Sequence, residues 1–136
     1  MNIKYLKTEW CLLQNQFDSY EKHSLYIKLL SVIVLLVVEM LDVISIITIL
    51  ILMVLWLQDG IWKTFQSRIE SRLIQIEKYI TEESSNHSFQ FNSEYLKVRP
   101  GGLSLINEYI SQSIRPTVAF PHIVLILILL IKYALL

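Results

Sequence analysis

The chain has 136 residues, 12 basic and 12 acidic side chains, 54% hydrophobic content and a mean hydropathy of +0.49. A zero net charge gives no electrostatic pull on nucleic acid, and hydropathy this high excludes an ordinary soluble domain. The single cysteine, Cys11, excludes an intramolecular disulfide framework and a multi-cysteine zinc site.

Residues 1–24 place Ile3, Leu6, Trp10, Leu13, Phe17 and Tyr20 at spacings of 3, 4, 3, 4 and 3, which is one apolar stripe on an amphipathic helix. The polar face is almost neutral, with Lys4, Lys7 and Lys22 against Glu9, Asp18 and Glu21. Packing on protein is therefore expected over adhesion to anionic lipid. No signal-peptide pattern precedes the first long apolar run, so that run is expected to be retained.

From Leu25 to Leu57 only Lys28, Glu39 and Asp42 are charged. One helix of that length would measure about 50 Å, against a hydrocarbon core of about 30 Å. It would also bury both acids near the midplane, at roughly 3 kcal/mol each. Residues 25–58 are therefore expected to form a transmembrane hairpin, with arms at 25–38 and 43–57, a turn at Glu39-Met40-Leu41-Asp42, and Asp42 as a helix N-cap. The hairpin puts every lysine and arginine except Lys132 on one side, which by the positive-inside rule is the cytoplasm.

Residues 59–82 read as a second amphipathic helix, with Trp62, Phe65, Ile69, Leu73, Ile76 and Ile80 on one stripe. Leu6, Trp10, Leu13, Phe17 and Tyr20, with Phe65, Ile69, Leu73, Ile76 and Ile80, form the candidate seam. Its partner is the other stripe, a second copy of the chain or a cytoplasmic protein. Paired with each other, the two helices would extend the hairpin as one bundle.

Residues 83–102 are rich in Ser and Asn, include Pro100 and end in Gly101-Gly102, so a polar loop is expected there, with Phe89 and Phe91 as a short strand. Asn86-His87-Ser88 is a glycosylation triplet that a cytoplasmic loop would leave unused. Residues 103–115 form a short helix with Leu103, Ile106, Ile110 and Ile114 on one side, and residues 116–136 form a third transmembrane helix. Pro116 and Pro121 fall near its start, where few helical hydrogen bonds are lost. Lys132 reaches the far headgroups.

Catalytic and metal equipment is missing at sequence level. His23, His87 and His122 have no ligand-spaced partners, and Gly101-Gly102 lacks the remainder of a phosphate loop. No cofactor is expected. His122 reads as an interfacial histidine, with proton sensing as the alternative. Glu39 and Asp42 read as acids of a wet turn or of a pore mouth in an oligomer. Trp56, Asp59, Trp62 and Lys132 read as interface anchors, with Asp59 a capping acid. The spans hold no small-xxx-small motif and are apolar on all sides, which argues against a standing aqueous pore and leaves room for a gated one.

At Leu55-Trp56-Leu57-Gln58-Asp59-Gly60, followed by Trp62-Lys63-Thr64-Phe65-Gln66-Ser67-Arg68, the chain resembles the second-span exit of small bacterial membrane proteins of the SLATT type. The resemblance covers roughly residues 22–80, and the third span departs from the simplest two-span form. It implies a non-enzymatic, oligomeric membrane effector of a prokaryotic conflict system, triggered by a partner. The expectation is thus an all-α integral protein of the bacterial inner membrane with a cytoplasmic amino terminus: a transmembrane hairpin, a third carboxy-terminal span and amphipathic cytoplasmic helices. Its expected partners are the lipid bilayer, copies of itself and a cytoplasmic protein. It would act as a defence effector or membrane tether; the alternatives are an immunity protein against a membrane-acting toxin or an accessory subunit of a larger complex.

Overall fold

The computed structural model describes residues 2–82 and 88–135. These form five helices: α1 (Asn2–Leu41), α2 (Ile46–Thr81), α3 (Phe91–Val98), α4 (Gly102–Ile114) and α5 (Pro116–Leu135). Among the described residues there is no strand, and α1, α2 and α5 are each long and apolar enough to cross a membrane.

The α1–α2 hairpin follows from a seam that does not stop where its apolar residues stop. In α1 the 3/4 spacing runs on past Tyr20 through Ser24, Ile27, Ser31, Val34 and Val38, all buried or half-buried. In α2 the matching positions are Thr48, Leu52, Leu55, Asp59, Trp62, Gln66, Ile69, Leu73, Ile76 and Ile80. An alternating 3/4 step keeps one face of a helix on its neighbour over many turns, so two helices of 40 and 36 residues pack antiparallel along their whole length. In α5 the inward positions are Val118, His122, Leu125, Leu129 and Lys132, again at steps of 4 and 3. Leu125 and Leu129 join Leu35, Ile49 and Leu52 in the apolar core near the hairpin turn.

That turn lies later than the sequence suggests. α1 continues through Glu39 to Leu41, and the chain reverses over residues 42–45. Asp42 adopts a left-handed conformation with φ of 50°, which an Asp tolerates better than most residues, and the N-cap position of α2 belongs to Ser45. Continuing the helix turns Glu39 towards α5, where it meets Lys132. With no Gly or Pro to mark the turn, its register is set by this pairing and by the core.

At the opposite end the two helices form a stalk, where the candidate seam residues face each other within one chain. Leu6, Ile69, Leu73 and Ile76 are buried, and Trp10, Leu13, Phe17, Tyr20, Phe65 and Ile80 are partly buried. Polar cross-links fix their register. Arg72 Nε donates to Glu9 Oε1 at 2.9 Å, with both side chains buried, and Trp10 Nε1 donates to Glu77 Oε1 at 3.0 Å. Lys63 and Gln66 both donate to Glu21 Oε2, at 2.7 and 2.6 Å. The Lys63 hydrogen bond, seconded by that from Gln66, holds the Glu21 carboxyl below the usual carboxylate range.

The segment expected to be a loop carries a helix. α3 begins at Phe91, and its first and last turns are linked by Lys97 Nζ to Glu94 Oε1 at 2.7 Å. Phe91 is thus helical, while Phe89 has φ of 57° and donates its backbone N–H to Glu9; neither forms a strand. Residues 83–87 of the expected loop, including Asn86 and His87 of the glycosylation triplet, lie outside the described residues.

Candidate functional site

In the apolar, span-length part of the bundle the usual arrangement of a soluble protein is inverted. Leu25, Leu29, Ile33 and Leu36 of α1, Ile47, Leu50 and Val54 of α2, and Ile123, Leu127 and Ile131 of α5 face outward. Ser24, Ser31, Thr48, Asp59, Thr64 and His122 are buried. The expectation of spans that are apolar on all sides is corrected here: each contributes polar residues to the interior face. Small hydroxyl residues allow close approach between helices, and their hydrogen bonds are satisfied within the bundle.

The cluster is centred on Asp59, whose side chain is 0% exposed. From α1, Ser24 Oγ donates to Asp59 Oδ1, and Lys28 Nζ stands 3.7 Å from Oδ2. From α5, His122 Nε2 stands 3.2 Å from the same Oδ2, so the tautomer carrying a proton on Nε2 donates to it. Ser31 Oγ lies 3.5 Å from His122 Nδ1 while donating to the carbonyl of Ile27 at 3.0 Å. One carboxylate thus ties all three span-length helices together.

Lys28 has a second anchor that depends on a proline. Within α5 the carbonyl of Thr117 would accept the N–H of residue 121, but Pro121 has none. Lys28 Nζ donates to this freed carbonyl at 3.2 Å. A similar vacancy at the end of α4, where Pro116 prevents the helix from continuing, leaves the Ser113 carbonyl to the indole N–H of Trp56 at 2.9 Å. Pro121 is therefore part of the site. Its nearness to the helix start, noted in the sequence, explains only why it is tolerated.

Several sequence assignments change as a result. Asp59 sits buried in the interior of α2 and caps no helix, and His122 is buried against it instead of lying at a surface. Trp56 is partly buried, with its indole N–H on Ser113 and its ring roughly parallel to that of His122. Trp62 packs among Tyr20, His23 and Phe65, with ring centroids 5.2, 5.1 and 6.2 Å away. Both tryptophans thus pack on protein, which the reading of an aromatic belt does not anticipate. Lys132 pairs with Glu39, and this pair lies at the far end of the bundle from Asp59. Glu39 is therefore an interhelical partner and not a turn acid, while Asp42 is exposed.

The order hydroxyl, imidazole, carboxylate at Ser31, His122 and Asp59 has the connectivity of a nucleophilic relay. Ser31 is 0% exposed and its hydroxyl proton is directed to the helix carbonyl of Ile27, so no substrate carbonyl can approach Oγ in this arrangement. What the cluster can do is hold charge, or exchange a proton between His122 and Asp59, inside an apolar surrounding. Among the described residues no three of His, Cys, Asp and Glu gather as a metal site. A cavity of about 530 Å³ lies in the stalk between α2, α3 and α4, away from the cluster. Its two arginines are already engaged, Arg68 with Glu108 at 3.0 Å and Arg72 with Glu9.

The chain matches no protein-family model, no curated protein and no solved structure.

Proposed function

We propose that the chain is a non-enzymatic effector of the bacterial inner membrane, with its stalk and amino terminus in the cytoplasm, that changes the state of the membrane when its three-helix bundle is loosened. The observation that carries this reading is Asp59, fully buried and bound to α1 through Ser24 and Lys28 and to α5 through His122. A bundle built only for stability gains more from apolar packing, because burying charges costs several kcal/mol per ion before their attraction offsets it. Ionisable groups inside a membrane segment are by default functional, and here they form a clasp whose opening would bring water to Lys28, Asp59 and His122. The stalk is the handle for a cytoplasmic trigger. Copies of the chain associate through the outward Leu, Ile and Val residues of α1 and α2, since the stalk stripes already pack on each other. The cytoplasmic placement rests on the distribution of basic residues, and a role in defence rests on the resemblance of Leu55 to Arg68 to SLATT-type proteins.

Membrane potential after induced expression tests the reading, with wild type and Asp59→Asn compared at equal membrane-inserted amounts. The Asn variant keeps the shape of the clasp and removes its charge, so it is expected to depolarise cells without a trigger, whereas wild type does so only with one. Unchanged potential in cells expressing Asp59→Asn refutes the effector reading. A harmless wild-type chain that protects against a membrane-acting toxin would replace it with an immunity function.

A further inference from the structure

Helix α4 has its faces reversed for a segment in water. Leu103, Ile106, Ile110 and Ile114, the stripe that should be buried in an aqueous amphipathic helix, are 85, 53, 46 and 63% exposed. The side turned to α2 is the polar one. Ser113 is buried against Gly60, and Glu108 meets Arg68. The same inversion marks α1, α2 and α5 along their span-length parts.

The level of α4 along the bundle explains the inversion. In α5 the uncharged run from Pro116 to Ile131 rises about 24 Å, short of a hydrocarbon core of about 30 Å. The missing turn lies in α4, where residues 109–114 carry no charge. Ser113 sits beside Gly60, which is about 21 Å along α2 from Ile46, so Ile114 and Ile110 lie inside a slab of about 30 Å and Ile106 near its rim. Charged pairs gather at that rim: Lys63 with Glu21, and Arg68 with Glu108. Arg115, at the junction of α4 and α5, donates back along α4 to Gln112 Oε1 at 3.0 Å, in the direction of the rim, as a snorkelling arginine does.

From this placement we infer that α4 is a membrane element confined to one leaflet, its Ile106, Ile110 and Ile114 face covered by acyl chains of the leaflet nearer the stalk. The inference rests on the membrane reading proposed above. The face is continuous with the lipid-facing side of α5, which begins after a single residue, Arg115. Four helices then occupy one leaflet and three the other. The resulting wedge-shaped cross-section makes α4 the part of the chain most sensitive to lipid packing, and it sits directly over the Gly60–Trp56 surface beside the Asp59 clasp.

Spin labels at single cysteines in a Cys11→Ser background, in vesicles of phosphatidylethanolamine and phosphatidylglycerol, test this through collision with oxygen and with a water-soluble nickel complex. Labels at Ile110 and Ile114 are expected to match one at Leu127, with an oxygen-to-nickel ratio several-fold higher than at Asn107 on the cavity side, and a label at Ile106, near the rim, is expected to fall between. High nickel collision at Ile110 with a lipid signature at Leu127 overturns the placement of α4 and leaves the membrane reading standing. Low collision with both reagents at Ile110, the mark of a face covered by a second copy, also overturns it. A watery signature at Leu127 removes the membrane reading and this inference with it.

Discussion

Asp59→Ala is expected to lower the unfolding midpoint of the chain in mild detergent by about 10 °C or more, corresponding to about 3–5 kcal/mol. Removing the carboxylate strips Ser24 and His122 of their acceptor and Lys28 of its counter-charge, at a point where water does not compensate. Lys28 retains the Thr117 carbonyl of α5, so a tie between α1 and α5 survives, and the loss is concentrated on α2, which gives up its bonds to Ser24 of α1 and His122 of α5. Asp59→Asn keeps two hydrogen-bonding partners and loses the charge, so its midpoint should fall between wild type and the Ala variant. Thermal unfolding followed by tryptophan fluorescence reads both. A midpoint for Asp59→Ala equal to that of wild type would mean that the clasp does not hold the bundle.

Gly60→Ala should separate α4 from α2, at a cost of about 1–3 kcal/mol. A methyl group at Gly60 would overlap Ser113 Oγ and lie 2.9 Å from Ser113 Cβ and 3.2 Å from its Cα. The hydroxyl cannot simply swing away without leaving the Tyr109 carbonyl, to which it donates at 2.8 Å, and the backbone atom has no freedom at all. The helix must move, which also breaks the bond from Trp56 to the Ser113 carbonyl. Ser113→Gly in the same chain removes the Oγ and Cβ contacts and should restore most of the loss. The double variant matching the single one in its unfolding midpoint would contradict close approach as the reason for glycine at position 60.

The hairpin, the two stalk stripes and the third long apolar helix are legible because large apolar residues at helical spacing carry them. The candidate site is not, for the same reason. Ser24 and Ser31 continue the α1 seam at its own spacing, and Asp59 and Gln66 do so in α2 between Leu52 and Leu73, but an apolar-only pattern counts each as an interruption. Tracing the spacing without regard to polarity would have placed Asp59 opposite Ser24. Nothing local in sequence links either to His122, which comes into place only when α5 packs on the hairpin. The α4 stripe is legible as a stripe, while its outward direction is not, because lipid and water select opposite faces. The turn at residues 42–45 escapes because no Gly or Pro marks it, and the Glu39–Lys132 pair that extends α1 joins residues 93 positions apart in the chain.

The proposed function requires three helices to cross the bilayer with the stalk on one side and the hairpin turn on the other. Labelling intact cells with a membrane-impermeant maleimide tests that most directly, using the native exposed Cys11 in one chain and Asp42→Cys with Cys11→Ser in another. Asp42→Cys should react from outside, and Cys11 only after the membrane is permeabilised. Reaction of both positions in intact cells, or protection of both until permeabilisation, would contradict it.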